Sequence, residues 1–320
     1  MPVRRHGQPN LTKADAGRAA GSIGRQRTSL GVAMSISPDR RSQRSPHRPS
    51  APRSLRVTTR NARYQQWEAL LSNRNKRQRL GEFLVQGVRP IDQAIAHGWP
   101  VRTFLHAGLA RSEWARDLLT GSVADELVHL SPDLLHELSE KLEAPPELLA
   151  VVAIPVDNLA RIRLTDHGLV VVLDRPISPG NLGSLLRSAD ALGVDGVVVT
   201  GRAADLYDPK AVRASRGSLF AVPAVRVDQP STVVDWIRSS GPMTIVGTSE
   251  EGTADLWGHD FRGPTALVIG NETSGMSAFW AGACDAVVRI PMTGSASSLN
   301  ASVAASITLY EVLRQRRVGG

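Results

Sequence analysis

Cysteine is almost absent from this chain of 320 residues, in which Cys284 is the only one. A single cysteine excludes a disulfide framework and a zinc site built from cysteines, so we expect an intracellular protein. Long apolar runs are missing too, because no stretch reaches 18 apolar residues and the first 30 residues lack the apolar segment of a secretory signal. The sequence therefore indicates neither membrane spanning nor export, and predicts a cytoplasmic protein.

Several common functional motifs are also absent. Without G-x-G-x-x-G or G-x-x-x-x-G-K-[ST], the chain lacks the usual dinucleotide site and the phosphate-binding P-loop. No H-E-x-x-H or other paired spacing joins the eight histidines, and no G-x-S-x-G marks a hydrolase nucleophile. The sequence therefore favours neither an NAD enzyme nor a P-loop ATPase nor a serine hydrolase, and it predicts no metal site.

Positive charge is concentrated at one end of the chain. Residues 1–60 carry thirteen Lys or Arg and two acidic residues, residues 61–80 carry five and one, and residues 81–320 have a net charge of −7. Because Lys and Arg neutralise phosphates and release counterions, this distribution indicates a nucleic acid as the partner. A solvated tail that only keeps the protein in solution is the alternative for the first 55 residues.

Composition and periodicity divide the chain into four segments. Residues 1–56 lack apolar periodicity and are predicted to form a disordered basic arm. Residues 57–155 alternate apolar strands with helices and predict a small α/β domain, in which a basic cluster follows the first helix. A polar linker at 156–166 leads to a second α/β domain at 167–320.

Five short, continuously apolar stretches in the second domain predict parallel strands that are buried on both faces. They lie at 169–173, 197–199, 244–247, 266–269 and 286–290. Ligands of open parallel sheets bind beyond the carboxyl ends of the strands, so the loops at 174–181, 270–276 and 291–300 are candidate sites. The first loop leads into a helix that Asn181 is predicted to cap and that carries Arg187 on its polar face.

The same three loops carry a family resemblance. NLGSLLRSADALG, LVIGNETSGMS and IPMTGSASSLNASVAASITLYE resemble, in this order, the three motifs of the SpoU (TrmH-type) branch of the SPOUT RNA methyltransferases. Upstream, NRNKRQRLGEFLVQGVRPI resembles the ribosomal-protein-like (L30e-like) RNA-binding domain of many members. Further stretches, among them YDPKAVRASRGSLFAVPAVRV, resemble 23S rRNA ribose methyltransferases of actinomycetes that confer antibiotic resistance.

The resemblance implies a trefoil knot in the parallel-sheet domain, a homodimer built around the knot helices, and S-adenosylmethionine bound in the knot. It also implies methyl transfer to a ribose 2′-OH. The residues that match the family's functional positions are Asn181, Arg187, Glu272, Ser298 and Asn300. Those that match or adjoin its cofactor-contacting positions are Thr248, Gly270, Asn271, Ile290, Pro291, Met292, Ser298 and Leu299.

The chemistry of this transfer constrains the roles of the residues. A ribose hydroxyl is a poor nucleophile that must lose a proton, yet no His or Lys lies in the three motifs. Arg187 is effectively always protonated, so we expect it to hold the ribose and adjacent phosphate and to stabilise the developing alkoxide, while Glu272 orients Arg187 or Asn181. The predicted contacts of the RNA backbone are Arg74, Lys76, Arg77 and Arg79 in the first domain and Arg213 and Arg216 in the second.

The resulting prediction is a dimeric S-adenosylmethionine-dependent 2′-O-ribose methyltransferase of 23S rRNA, in which the first domain selects the site. Resistance to a ribosome-targeting antibiotic follows only from the resemblance to the actinomycete enzymes. A tRNA ribose methyltransferase is the alternative within this class. A non-catalytic RNA-binding scaffold that keeps the knot is the alternative from another class. Four intact residues argue against it: Asn181, Arg187, Glu272 and Ser298.

Overall fold

The computed structural model describes residues 52–108, 110–121, 123–139 and 146–318. Most of the predicted basic arm, residues 1–51, lies outside the described residues. Two sheets follow one another along the chain and belong to one compact unit, Pro49–Gly320.

The first sheet has five strands in the order β1-β4-β3-β5-β2. β1, β4 and β3 run parallel, whereas β5 is antiparallel to both β3 and β2. The strands are β1 (Arg53–Val57), β2 (Glu82–Gln86), β3 (Val101–His106), β4 (Ala124–Leu130) and β5 (Leu148–Ala153). The helices are α1 (Ala62–Ser72), α2 (Arg74–Leu80), α3 (Val88–Ala96), α4 (Glu113–Thr120) and α5 (Pro132–Leu138).

Asparagine side chains set the boundaries of α1 and α2. The Asn61 side chain accepts hydrogen bonds from the backbone N–H groups of Arg63 and Tyr64 and so caps α1. Asn73 ends α1, and its side chain accepts from the backbone N–H of Lys76, which starts α2. The basic cluster that the sequence places after the first helix therefore forms a helix of its own.

Strand β1 corrects the predicted boundary of the disordered arm. Residues 53–56 fall within the arm predicted at 1–56, but they pair in parallel with β4 along Glu126–His129. Four of the five β1 residues are exposed and only Val57 is buried. An edge strand with one buried side chain has no apolar alternation, so the sequence pattern could not reveal it.

The second sheet has seven strands, all parallel, in the order β10-β12-β9-β11-β6-β7-β8. The strands are β6 (Leu169–Asp174), β7 (Gly196–Thr200), β8 (Ala224–Val227), β9 (Thr244–Thr248), β10 (Ala254–Asp255), β11 (Thr265–Ile269) and β12 (Ala286–Arg289). The helices are α6 (Pro179–Ala191), α7 (Pro209–Ser215), α8 (Ser218–Ala221), α9 (Pro230–Ser239), α10 (Ala278–Ala283) and α11 (Ala301–Val318). The predicted α/β class with a parallel sheet is confirmed.

Burial on both faces explains the continuous apolar strands. Every residue of β6, β7 and β11 is buried. One face packs with α6 and α11 through Leu186 and Leu309, and the other packs with Ile237 of α9 and Trp280 of α10. β8 and β10 were not predicted, and β10 has only two residues.

The end of α11 is tied to the beginning of the second sheet. The Arg316 guanidinium donates to the backbone oxygens of Phe261 at 3.0 Å and Gly263 at 2.8 Å, and also to that of His167, just before β6. His167 lies just before β6 and residues 261–263 lie just before β11, so Arg316 connects the end of α11 to the starts of two neighbouring strands.

The predicted linker at 156–166 packs against the second sheet. It contains a 3₁₀ turn at Leu159–Arg161, and the Arg161 side chain donates to the backbone oxygen of Ala224 at 3.1 Å. Ile162 is buried and packs closely on Gly196. A Cβ added at Gly196 would lie only 2.6 Å from Ile162 Cγ1. None of the helices in the described ranges is long and apolar enough to cross a membrane.

Candidate active site

Three loops meet at the carboxyl edge of the second sheet. They follow β6, β11 and β12, and each leads into a helix: α6, α10 and α11. β6 and β11 are direct neighbours, so their loops emerge side by side. The edge at which the sequence places the candidate site is therefore the edge at which the structure gathers these loops.

Side-chain hydrogen bonds join the three loops. The Glu272 carboxylate accepts from the backbone N–H of Ile177 at 2.8 Å, from that of Ser178 at 3.1 Å and from the Asn181 amide at 3.2 Å. The oxygen of the same Asn181 amide accepts from the Asn300 side chain at 3.0 Å. Three of the five predicted functional residues thus form one chain of contacts across all three loops.

Asn181 does not cap α6, which corrects the prediction. Ser178 has extended backbone geometry, and its hydroxyl accepts from the backbone N–H of Asn181 at 3.3 Å, so Ser178 is the cap. Pro179 is the first helical residue, the position that proline prefers. Asn181 lies in the first turn, where its side chain is available to Glu272 and Asn300 instead.

The environment of Glu272 favours its charged form. Burial by itself raises the pKa of a carboxyl group, but the backbone N–H groups and the Asn181 amide that Glu272 binds outweigh burial. The pKa of Glu272 is therefore held below its usual value. Since its oxygens already accept from these donors, Glu272 is better suited to holding the loops than to taking a proton.

The loop after β11 is built around Asn271. Its side-chain oxygen accepts from the backbone N–H groups of Thr273 at 2.9 Å and Ser274 at 3.0 Å, and its amide donates to the backbone oxygen of Arg175. At Gly270 a Cβ would lie 2.4 Å from the backbone of Gly275, so only glycine fits. The turn is fixed by its own backbone before any ligand binds.

A cavity of about 190 Å³ lies between the loops after β11 and β12, the start of α11 and the end of β9. Eight predicted site residues line it: Thr248, Gly270, Asn271, Glu272, Ile290, Met292, Ser298 and Leu299. Pro291 was predicted to be near the cofactor but is not among the lining residues. The sequence reasoning missed other lining residues: Ser249, Glu250, Ile269, Thr273, Gly275, Ala301 and Ala304.

Four of the missed lining residues lie directly beside predicted ones. Ser249 and Glu250 directly follow β9, whereas Ala301 and Ala304 occupy the first turn of α11. Both places are adjacent to predicted residues at strand ends or helix starts. Extending the predicted loop at 291–300 by one turn of helix would have found Ala301 and Ala304, and including the residues after Thr248 would have found Ser249 and Glu250.

Asp174 is a further buried polar residue that the sequence analysis did not assign. It is 1% exposed at the end of β6, where it accepts from the backbone N–H of Ser277 at 2.7 Å and from the Arg175 side chain at 3.1 Å. Arg175 has a φ of 56°, an uncommon value outside glycine. Asp174 thus connects the loop after β6, through Arg175, to the loop after β11, through Ser277.

Arg187 lies on α6, six residues beyond Asn181, with its side chain exposed. Within the described ranges it forms no hydrogen bond or ion pair. The opposite face of α6 is held by buried Leu182, Leu185 and Leu186. The helix is therefore fixed while the guanidinium group stays available to a ligand.

The predicted RNA contacts divide into two groups. Arg79, Arg213 and Arg216 are exposed and Lys76 is half-buried. Arg74 is half-buried and donates to the backbone oxygen of Ala203 at 2.7 Å.

The prediction for Arg77 is wrong. Arg77 is 1% exposed and forms a salt bridge with Asp205 at 2.8 Å, so it cannot reach an RNA backbone. The described residues also contain no group of three or more His, Cys, Asp or Glu side chains able to hold a metal ion.

Comparisons with known proteins agree with this arrangement. Residues 168–310 match the model of the SpoU rRNA Methylase family, and residues 61–150 match that of the SpoU L30e-like domain. The chain is 58% identical over 273 residues to the 23S rRNA (uridine(2479)-2′-O)-methyltransferase of Streptomyces viridochromogenes, which covers 84% of this chain and 95% of the relative.

Two solved structures are similar over most of their length. The SpoU methyltransferase AviRb from Streptomyces viridochromogenes, in complex with the cofactor AdoMet, is 57% identical with a TM-score of 0.78, covering 82% of this chain and 100% of that one. An AdoMet-bound rRNA methyltransferase from Sinorhizobium meliloti is 27% identical with a TM-score of 0.73, covering 82% and 98%.

Proposed function

Because the chain belongs to the SpoU rRNA methylase family, we propose that it transfers a methyl group from S-adenosylmethionine to a ribose 2′-OH of 23S rRNA. One observation carries this proposal. The loops after β11 and β12 line one cavity together with the end of β9, and the hydrogen bonds of Glu272, Asn181 and Asn300 connect the start of α6 to these two loops. The 58% identity to a 23S rRNA 2′-O-methyltransferase supports the choice of substrate.

The cavity suits S-adenosylmethionine chemically. Ile269, Ile290 and Leu299 offer apolar surface to a nucleobase, while Thr248 and Asn271 lie at strand ends as polar partners. The missing side chain at Gly270 lets the backbone of Gly275 approach closely, which shapes the turn that lines the cavity. When bound there, the cofactor supplies a methyl group on a positively charged sulfur, which is the electrophile.

The protein's own residues bind and orient the RNA. Arg187 holds the target ribose and its phosphate, and its guanidinium stabilises the negative charge that develops on the 2′-oxygen. The loops at 174–181, 270–277 and 290–300 contain no His or Lys, so they offer no neutral base of the usual kind. Glu272 keeps the start of α6, and with it Arg187, in place relative to the cavity.

RNA recognition is assigned to the region between residues 57 and 155. The match of residues 61–150 to the SpoU L30e-like domain and the exposed Arg79 on α2 support this role. Arg213 and Arg216 are assigned to the RNA backbone, and residues 1–52 to a basic arm. A trefoil knot, a cytoplasmic location and antibiotic resistance are finer proposals, which rest on the family resemblance of the sequence.

A homodimer is proposed from the surface of α11. Val303, Ile307 and Tyr310 recur at helical spacing and are 46%, 39% and 61% exposed, so they form an apolar stripe without a partner in the described chain. A second copy that packs on this stripe would bury it. Light scattering of the wild type and of Tyr310→Asp tests the dimer, for which we expect twice the monomer mass in the wild type only.

The function is tested with labelled S-adenosylmethionine and, separately, protein-free 23S rRNA and bulk tRNA. We expect label on one ribose of 23S rRNA, mapped by primer extension that is sensitive to ribose methylation. Label on tRNA alone would change the substrate class. Cofactor binding without any transfer, also to assembled 50S particles, would favour a non-catalytic scaffold.

A further inference from the structure

The two sheets meet at a docking face that contains a buried arginine. We define the docking face as Arg74, Arg77, Phe83 and Trp99 on the side of the first sheet, against the segment 203–220 of the second. Arg77 Nε donates to Asp205 Oδ2 at 2.8 Å, and its Nη1 donates to the backbone oxygen of Leu70 at 2.7 Å. A second carboxylate, Asp208, lies 3.6 Å from Nη2. Arg77 is thus held from several directions.

Two arginines of the docking face bind neighbouring residues of the segment 203–207. Arg74, one turn before Arg77 on α2, donates to the backbone oxygen of Ala203 at 2.7 Å. The second oxygen of Asp205 accepts from the backbone N–H of Tyr207 at 3.1 Å. The geometry of residues 203–207 is therefore fixed both by their own turn and by two arginines from α2.

The segment 203–207 lies next to the loop after β6, which belongs to the candidate active site. The backbone N–H of Ala204 donates to the backbone oxygen of Pro176 at 2.6 Å. Pro176 is followed by Ile177 and Ser178, whose N–H groups bind the Glu272 carboxylate. Arg77 is thus connected to the loop before α6 by its bond to Asp205 and by the hydrogen bond of the adjacent Ala204 to Pro176.

Apolar contacts already hold the two halves together. Phe83 contacts Tyr207 and Phe220 with ring centroids 4.9 and 6.2 Å apart, and Trp99 contacts Phe220 at 5.1 Å. A buried ion pair loses its hydration, so a hydrophobic pair of similar volume often holds such an interface equally well. What the ion pair adds is direction, because a guanidinium group binds its partners only in a fixed plane.

We propose that Arg77 is a positioning residue that sets the orientation of the RNA-binding half relative to the loop after β6, and so decides which ribose reaches the cavity. The proposal rests on the proposed function, since it presumes RNA bound by the first half and methylated at the second. It assigns to Arg77 a role in target selection without any contact to RNA, in agreement with its burial.

The test replaces the ion pair by an apolar pair. Arg77→Met combined with Asp205→Leu removes the directional bonds and leaves no unpaired buried charge. Arg77→Lys is the second variant, which keeps the charge but loses the planar donor set. Arg79→Met is the matched control, because Arg79 is exposed on the same helix.

Four quantities are measured on the full-length variants: thermal midpoint, cofactor Kd by calorimetry, kcat and KM for 23S rRNA, and the methylated position. For the double variant we expect a retained thermal midpoint and cofactor Kd. We expect kcat on 23S rRNA to fall about tenfold or more at nearly unchanged KM, with methyl groups appearing on neighbouring riboses. Arg77→Lys should fall between the double variant and the wild type.

The control and the wild type separate the possible failures. Arg79→Met should affect only KM and its salt dependence. Methylation by the double variant at the wild-type position and rate would overturn the proposal, and if that variant does not fold, the same result with a folded Arg77→Lys would do so. Absence of methylation by the wild type itself would instead refute the proposed function.

Discussion

Arginine occupies two regions of this molecule in opposite ways. At the docking face, Arg77 is 1% exposed and bound to Asp205, among aromatic rings that contact each other. The second region is the loop cluster, by which we mean the loops after β6, β11 and β12 (174–181, 270–277 and 290–300) with helix α6. There Arg187 is exposed and unbound within the described residues, while Asn181 and Glu272 are bonded to each other. The first region is complete as it stands, whereas the second has a charge and a cavity available to ligands.

This difference shows that a basic residue near a predicted RNA-binding segment is not by itself an RNA contact. Arg77 and Arg79 are two residues apart on α2, yet one is buried and the other exposed. What separates them is the helix face that each occupies and a carboxylate that lies far away in the chain. Four changes test the contrast between the closed docking face and the open loop cluster.

The largest effect on stability is expected at the docking face. Arg77→Ala leaves Asp205 buried without its partner, so the free energy of unfolding should fall by about 3–5 kcal/mol. Arg79→Ala on the same helix should change it by less than about 0.5 kcal/mol. Urea denaturation of both variants measures the difference, and equal stabilities would show that the docking face is not closed.

The largest effect on activity is expected at the loop cluster. Arg187→Lys should lower the rate of methyl transfer by about 10²–10³-fold, because an ammonium group cannot reproduce the planar donor set at the developing charge. Cofactor affinity should remain that of the wild type. Single-turnover transfer and calorimetry check both, with Arg238→Lys, an exposed arginine paired with Asp285, as the control. Wild-type-like turnover would remove Arg187 from the mechanism.

A smaller effect is expected in the turn after β11, where the backbone of Gly275 packs directly on Gly270. Gly270→Ala places a Cβ 2.4 Å from the backbone of Gly275, so we expect a loss of about 1–3 kcal/mol in stability and weaker cofactor binding. Gly282→Ala makes the same substitution in α10, where nothing lies within 4 Å, and should leave cofactor binding unchanged. Calorimetric titration with S-adenosylmethionine distinguishes the two variants.

The smallest effect is a dependence on pH. Because the pKa of Glu272 is lowered in the folded protein, its charged form stabilises the fold above the unfolded-state pKa, and this stability is lost as the pH falls through the folded-state pKa. Glu272→Gln should therefore lower the free energy of unfolding by about 1–2 kcal/mol at pH 7. The difference from the wild type should shrink below about pH 4.5.

Denaturation curves between pH 3 and pH 7 measure this difference. Glu251→Gln, at an exposed position, is the control and should show no such change with pH. A constant difference between the wild type and Glu272→Gln across this range would mean that the charge of Glu272 does not hold the loops.

Most of the second sheet could be predicted from the sequence, because strands buried on both faces are continuously apolar. The site loops could be located because they follow those strands, and the resemblance to a family named their residues. The cap of α6 could also have been found, since Pro179 at the first helical position identifies Ser178 as the residue before the helix.

Other features depend on contacts that no local pattern contains. The burial of Arg77 is decided by Asp205, 128 residues further along the chain. The pairing of β1 is decided by β4, because only Val57 among its residues is buried. Likewise, Asp174 has its role only because the loop after β11 presents the N–H of Ser277 to it.

The bonds of Arg316 to residues 167, 261 and 263 bear on the order in which the site forms during synthesis. A ribosome makes the chain from its amino end, so these carbonyl groups emerge well before the arginine that binds them. α11 also supplies Ala301 and Ala304 to the cavity wall. The cavity therefore lacks part of its wall until translation has passed Ala304, and the bonds that tie the end of α11 to residues 167 and 261–263 form only after Arg316 has been made.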